Sequence, residues 1–172
     1  GQPIHPPASG QLQNSRRSLI DCDLLVADEL VARPELAPRG NTERRTLAIT
    51  FAGAFEFQVG RQTSWVDPSR LLFAEAGRSY VDHHVVPGTG HSSIILRPDR
   101  GAIDELWGDR AEGQSANRVS ACSPRVQVLV QYLRRAAEPL AAQELGVAIL
   151  EESVAEKRRV TTVDPRCVRR AK

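Results

Sequence analysis

A mainly β chain followed by an antiparallel pair of helices is the fold this sequence predicts, and three observations predict it. Between Thr46 and Arg97, apolar residues alternate with smaller or polar ones: Leu47, Ile49 and Phe51, then Phe55, Phe57 and Val59, then Thr63 and Trp65. A period of two places such residues on one buried face of successive strands. Turn residues recur about every ten positions, at Gly53, Gly60-Arg61, Asp67-Pro68, Ala76-Gly77 and Pro87-Gly88-Thr89-Gly90, which suits a sandwich or a small barrel. From Asp99 onward the apolar period changes to that of a helix.

Taken in order, residues 1–17 hold Pro3, Pro6, Pro7, Gly10 and several Gln and Ser, a composition that buries too little apolar surface to order itself. They are expected to form a disordered tail. Residues 18–98 carry the β pattern, opened by Leu24-Leu25-Val26 and Leu30-Val31. A loop from Arg33 to Thr42, with Pro34, Pro38 and Gly40, separates these from the strands already described. The later strands are expected at Arg70 to Ala74, Ser79 to Val86 and Ser92 to Arg97.

Residues 99–163 read as a helical segment, briefly at Ile103, Leu106 and Trp107 and then at length. Ser123 is a good N-cap and Pro124 a good first helical residue. Val126, Leu129, Val130, Leu133 and Ala137 follow with the spacing of one helical face. In the next helix, from about Leu140 to Arg158, Ala142, Leu145, Ala148 and Ile149 share one face. Leu140, Val147, Leu150 and Val154 fall on roughly the opposite one. A helix apolar on two sides needs two covers. The second cover is either more of the same domain or a second copy of the chain, and the stripe Leu140, Val147, Leu150, Val154 is the candidate dimer interface.

Asp164-Pro165 repeats the cap-plus-proline start, and Arg166, Arg169, Arg170 and Lys172 make residues 164–172 basic. This segment is either a solvated basic face or the start of a linker to a missing DNA-binding domain; the sequence has no methionine and begins with Gly, which suggests a trimmed fragment.

At 172 residues the chain is long enough for one core. A formal net charge of +2 lacks the basic footprint of a nucleic-acid binder, so this fragment is not expected to bind DNA itself. Cys22, Cys122 and Cys167 are far apart and in no C-x-x-C spacing, which fits reduced thiols and a cytoplasmic protein. The apolar runs fall far short of the roughly 20 residues that span a bilayer, and the Pro-rich start has no apolar signal region. No catalytic motif such as G-x-S-x-G or a P-loop is present.

If their strands close on themselves, Phe55, Phe57, Trp65, Phe73, Tyr80 and His84 would line an aromatic interior, and Tyr80, Asp82 and His84 would supply its polar groups. These seven residues are the candidate contacts for a small organic effector. Arg45, Arg61, Arg70 and Arg78 flank turns and are either solvated or available to a carboxylate effector.

The segment Phe51-Ala52-Gly53-Ala54-Phe55-Glu56-Phe57 with Gly60-Arg61, then Leu72-Phe73, Ala76-Gly77 and Tyr80, then His84, Pro87-Gly88 and Ile94-Ile95-Leu96, resembles the cupin-type N-terminal domain of AraC/XylS-type transcriptional regulators. The resemblance covers most of Leu47 to Lys172. His83 and Val85 stand where that family often has Ser and Pro, and Ser93 where a Cys is common. It implies a cupin-like barrel followed by two helices, acting as an effector-sensing and dimerising domain without enzyme activity or cofactor. DNA contacts would be made by the separate helix-turn-helix half.

The resemblance also opens an alternative, a metal-dependent cupin enzyme of dioxygenase, isomerase or epimerase type. Metal sites of this sort generally use His-x-His, because residues two apart on a strand point the same way. His83 and His84 are adjacent. Asp82 and His84 share a parity and, with His91 beyond the Gly-rich turn, form the alternative metal set. The reading preferred over it has His84 hydrogen-bonded inside the barrel, His83 at the surface and His91 in a loop.

Overall fold

The computed structural model describes residues 13–101 and 118–161. Its strands are β1 (Ser15–Cys22), β2 (Leu25–Ala32), β3 (Arg39–Thr42), β4 (Thr46–Gly53), β5 (Phe55–Val59), β6 (Gln62–Val66), β7 (Arg70–Ala74), β8 (Arg78–His83), β9 (His91–Pro98) and β10 (Arg118–Ala121). Two helices follow, α1 (Pro124–Arg135) and α2 (Pro139–Thr161). The strands make a six-stranded sheet in the order β1-β2-β9-β4-β7-β10 and a four-stranded sheet in the order β3-β8-β5-β6. Every ladder is antiparallel.

The larger sheet is the middle layer. On one face Ala48, Leu72 and Ala74 meet Phe55, Phe57 and Val66 of the smaller sheet to form the barrel interior, with Tyr80 and Ile95 packed alongside. On the other face Ile20, Leu25, Ala27, Leu47, Ile49, Leu71, Phe73, Ile94 and Leu96 meet Val126, Val130, Leu133, Ala142, Ile149 and Leu150 of the helices. Each such Val, Leu, Ile or Phe side chain, once buried, stabilises the fold by about 1.5–3 kcal/mol. The alternation expected to signal one buried face holds for β5, where Phe55, Phe57 and Val59 are buried and Glu56 and Gln58 are partly exposed. It does not hold for β7 or β9, because helices cover the face that water would otherwise reach; Leu71 to Ala74 are all buried. A strand buried on both sides reads as a near-continuous apolar run.

Ser123 caps α1 as expected, its Oγ accepting from the Val126 N–H at 3.3 Å, and Pro124 opens the helix. Ala136, in an extended conformation, ends it before Ala137. Residues 136–138 then connect α1 to α2, which packs back on it. Gly146 lets α2 lie close to the sheet: a Cβ there would sit 2.5 Å from Ile20 Cδ1 and 2.7 Å from Leu25 Cδ2.

Several boundaries differ from those the sequence suggested. Residues 15–17, assigned to the tail, are part of β1, because pairing with Leu30, Glu29 and Val31 supplies order that composition alone does not. The Arg33 to Thr42 loop contains β3, whose Arg39 to Thr42 pair with Val81 to Arg78. The strand expected through Val86 stops at His83; Val85 and Val86 are exposed beside the turn at Pro87-Gly88. The candidate dimer stripe is divided, since Leu150 and Val154 are buried within the chain whereas Leu140 and Val147 are 68% and 45% exposed. A helix packed against both a sheet and another helix buries an arc that includes both expected stripes in part. The expected tail through residue 12, the helical turn at Ile103, Leu106 and Trp107, and the basic segment from Asp164 lie outside the described residues. Among the described residues no helix is long and apolar enough to cross a membrane.

Candidate functional site

Between the two sheets lies a cavity of about 440 Å³. The parity of four strands fixes its wall. From β9 it receives His91, Ser93, Ile95 and Arg97, while Ile94 and Leu96 between them face the helices. From β2 come Val26 and Leu30, from β4 Thr46 and Ala48, from β7 Leu72 and Ala74. The smaller sheet contributes Phe55, Phe57, Tyr80 and Asp82.

Two stacked pairs stiffen the aromatic wall: Phe55 lies on His91 with ring centroids 4.0 Å apart, and Phe57 on Tyr80 at 5.3 Å. Beside them runs a buried polar line. His84 Nε2 lies 2.8 Å from His91 Nδ1, and His91 Nε2 lies 3.6 Å from Asp82 Oδ2, a separation too long for a hydrogen bond. Asp82 Oδ1 and His84 Nδ1, the ends of the line, are buried with no hydrogen-bond partner. Burial pushes the Asp82 carboxyl up to about 8 and the His91 imidazole down to about 3, the latter with a smaller push from His84. Near neutral pH both are therefore uncharged, because each ionic form would lose its hydration. Burial also raises the Tyr80 phenol, with Asp82 adding to the shift and Arg16 and Arg97 opposing it.

At another part of the wall Arg16 and Arg97 share one carboxylate oxygen. Arg16 Nη1 donates to Asp28 Oδ2 at 3.0 Å, and Arg97 Nη2 donates to the same atom. The opposite face of the same strands carries a second group, in which Glu29 accepts from Arg17 Nε at 2.9 Å and from Arg134 Nε at 2.6 Å. The Arg134 guanidinium lies 3.9 Å from the centroid of Phe51. A bulge in β1 between Ser18 and Ile20 lets Arg17 and Ile20 both face the helices.

Of the seven residues proposed from sequence as effector contacts, Phe55, Phe57, Tyr80 and Asp82 line the cavity. His84 sits just beyond β8, behind the wall, joined to His91. Phe73 does not reach the cavity, because odd-numbered residues of β7 face the helices, where it is buried. Trp65 does not either; it lies on the outer side of β6, 37% exposed, donating from Nε1 to Asp67 at 2.9 Å. His83 is exposed and bonded to Gln58, as expected. His91 is no loop residue: it begins β9 and is 3% exposed. Ser93, Arg16 and Arg97 were not among the candidate contacts. The signal for two of them was present, since polar residues at alternate positions of an otherwise apolar strand mark a face turned to something polar.

Asp82, His84 and His91, the alternative metal set, are brought together but do not fit one ion as they stand. His91 turns one ring nitrogen to His84 and the other toward Asp82, so the donors meet in pairs rather than at one point. Among the described residues no group of three His, Cys, Asp or Glu side chains is arranged to hold a metal.

No protein-family model matches the sequence, and no curated protein matches it. Solved structures do resemble the fold. The apo form of a ToxT variant from Vibrio cholerae aligns with a TM-score of 0.60 at 8% identity, covering 81% of this chain and 58% of that one. An RmlC-like cupin family protein with a double-stranded β-helix fold from Methanocaldococcus jannaschii aligns at 0.46 and 6% identity, covering 62% and 97%. A cupin 2 conserved barrel domain protein from Salinispora arenicola aligns at 0.44 and 13% identity, covering 61% and 95%. The present chain thus spans less than two thirds of the ToxT chain it resembles. At these identities the likeness concerns the fold: two antiparallel sheets forming a cupin-like barrel, followed by two helices.

Proposed function

We propose that this cupin-type domain is the effector-sensing and dimerising part of a transcriptional regulator of the AraC/XylS type, with a small organic molecule bound in the barrel. One observation carries the reading: the wall of the cavity is also the floor under the helices. Ser93, Ile95 and Arg97 face the cavity while Ile94 and Leu96, their neighbours in β9, pack against the helical pair. A ligand that prefers one arrangement of this sheet biases the packing of α1 and α2 by its difference in affinity, and by no more. The fold likeness to ToxT, an AraC-family regulator, supports the same reading. On it, DNA is contacted by a separate helix-turn-helix domain, and the protein works in the cytoplasm as a homodimer.

A thermal-shift screen of small metabolites against the wild type and Ala48→Phe tests the proposal. Ala48 is 4% exposed and lines the cavity, so Phe projects into it and obstructs it. Hits should stabilise the wild type, leave the variant unmoved, and change hydrogen exchange in α1 and α2. Hits that protect the barrel and leave the helices unchanged would remove the sensing role.

The buried line of Asp82, His91 and His84 favours a second reading, a metal-dependent cupin enzyme whose side chains rearrange around an ion. Elemental analysis decides between them: stoichiometric iron, zinc or manganese that is lost in His84→Ala supports the enzyme.

A further inference from the structure

The charges lining the cavity point to a chemical class of ligand. Arg16 of β1 and Arg97 of β9 flank β2 from either side, and Asp28 of β2 lies between them on the cavity-facing parity of Val26 and Leu30. Two guanidinium groups therefore meet one carboxylate, through a single oxygen. A guanidinium carries five N–H donors in a planar fork, so one shared oxygen leaves most of both forks for another acceptor. Neither arginine is sealed off: their side chains are 44% and 29% exposed, and both line the cavity. The other charged residues of that wall, Glu43 and Arg44, offset one another, and Asp82 stands apart with its buried Oδ1 unpartnered. The surplus at this end is one positive charge.

We infer that the cavity takes an organic monocarboxylate, its carboxylate bridging Arg16 and Arg97 and its apolar body lying along Phe55, Phe57 and Ile95. This rests on the proposal that the barrel binds an effector. A planar carboxylate matches the guanidinium fork in two parallel bonds, and its single charge matches the surplus. A hydroxyl at the far end of the molecule meets Asp82. A cavity of 440 Å³ is in the range of small-molecule sites, roughly 300–1,000 Å³.

Isothermal titration calorimetry with three probes of one length tests it: 8-hydroxyoctanoate, 1,8-octanediol and 8-amino-1-octanol. The carboxylate should bind the wild type at least about tenfold more tightly than the diol. Arg97→Gln should remove that advantage and leave the diol unchanged; Arg16 still pairs with Asp28 in this variant, so no charge is stranded. Asp28→Asn should act in the opposite direction and tighten the carboxylate, because it removes the competing anion. Equal or tighter binding of the diol or the amine, abolished by Ala48→Phe, would overturn the carboxylate inference and leave the sensing proposal standing. Failure of every probe to bind folded wild-type protein would overturn the inference together with the cavity as a site for molecules of this shape.

Discussion

Asp28 and Glu29 are consecutive residues of β2, and each holds two arginines on opposite faces of the same sheet. Asp28 gathers Arg16 and Arg97 on the cavity side, and Glu29 gathers Arg17 and Arg134 on the helix side. Successive side chains of a strand point to opposite faces, so no intervening layer separates the two groups. The arginines of β1 are consecutive as well, Arg16 serving one face and Arg17 the other. A shift of β1 or β2 along the ladder would move both groups together.

Glu29→Gln should loosen α1 from the sheet. Burial pushes the Glu29 carboxyl up, but hydrogen bonds from Arg134 and Arg17 outweigh it and hold the group below its ordinary 4.5. A carboxyl with a lowered folded pKa contributes stability that is present above the unfolded value and lost as pH falls through the folded one. The variant should therefore lose about 1–2 kcal/mol at pH 7, the partly exposed arginines limiting the cost. The difference from wild type should shrink below pH 4.5. Urea denaturation at pH 7 and pH 3.5 reads both.

Asp82 and His91 give stability a pH dependence of opposite signs. The raised carboxyl contributes fully below 3.8 and loses its contribution as pH climbs to about 8; the lowered imidazole contributes above 6.5 and loses its contribution as pH falls toward about 3. Between 3.8 and 6.5 the slopes cancel, because the unfolded chain carries one proton on His91 and the folded chain one on Asp82. Above 6.5 only Asp82 acts, and stability should fall by about 1.4 kcal/mol per pH unit until about pH 8. Asp82→Asn, which keeps the site uncharged, should abolish that fall. A variant with the same slope as wild type in denaturation midpoints from pH 6.5 to 8 would contradict the assignment.

Gly53 and Gly90 let three backbones cross at the start of β9. Gly53 has φ +75°, and a Cβ on it would stand 2.1 Å from the Gly90 carbonyl oxygen; one on Gly90 would stand 2.0 Å from that of Ala32. Gly53→Ala should cost about 3 kcal/mol or more, combining left-handed strain with a clash against main chain. Gly88→Ala is the comparison, with φ +72° and nothing within 4 Å of the added Cβ, and should cost about 1 kcal/mol. Thermal melts of the two variants separate strain from crowding.

Leu150→Glu should unfold the chain, because Leu150 is 4% exposed and a charge there costs about 4 kcal/mol or more. The double variant Leu140→Glu, Val147→Glu changes exposed positions instead and should leave the melting temperature nearly unmoved. If α2 forms the proposed dimer, sedimentation should show a dimer for wild type and a monomer for the double variant. A wild-type monomer at high concentration would remove the dimer.

Some of this molecule is local and was legible. The caps and turns belong to single residues or neighbours, so Ser123-Pro124 fixes the start of α1, and strand β7 falls at Arg70 to Ala74 as its pattern implies. Phe55 and Phe57 were found because β5 alternates cleanly, and Tyr80 and Asp82 because residues two apart on β8 share the face turned to the barrel. Phe73 and Trp65 were misplaced for the same physical cause in two forms. In β7 both faces are buried, so apolar character no longer tells inside from outside, and in β6 a large aromatic covers the outer surface while bonded to Asp67.

What the sequence by itself determined is the order and kind of most elements, since periodicity, capping and turn chemistry act over a few residues at a time; β3, inside an expected loop, and β10, inside the segment 99–163 read as helical, are strands only because β8 and β7 pair with them. Tertiary structure alone decided which face of the six-stranded sheet meets the cavity and which the helices, and with it the places of His91, Ser93, Arg16 and Arg97. Residues as distant as Arg16, Asp28 and Arg97 converge only because β1, β2 and β9 lie side by side. Strand pairing is a long-range choice set by the whole core, and the sequence around each arginine carries no trace of its partner.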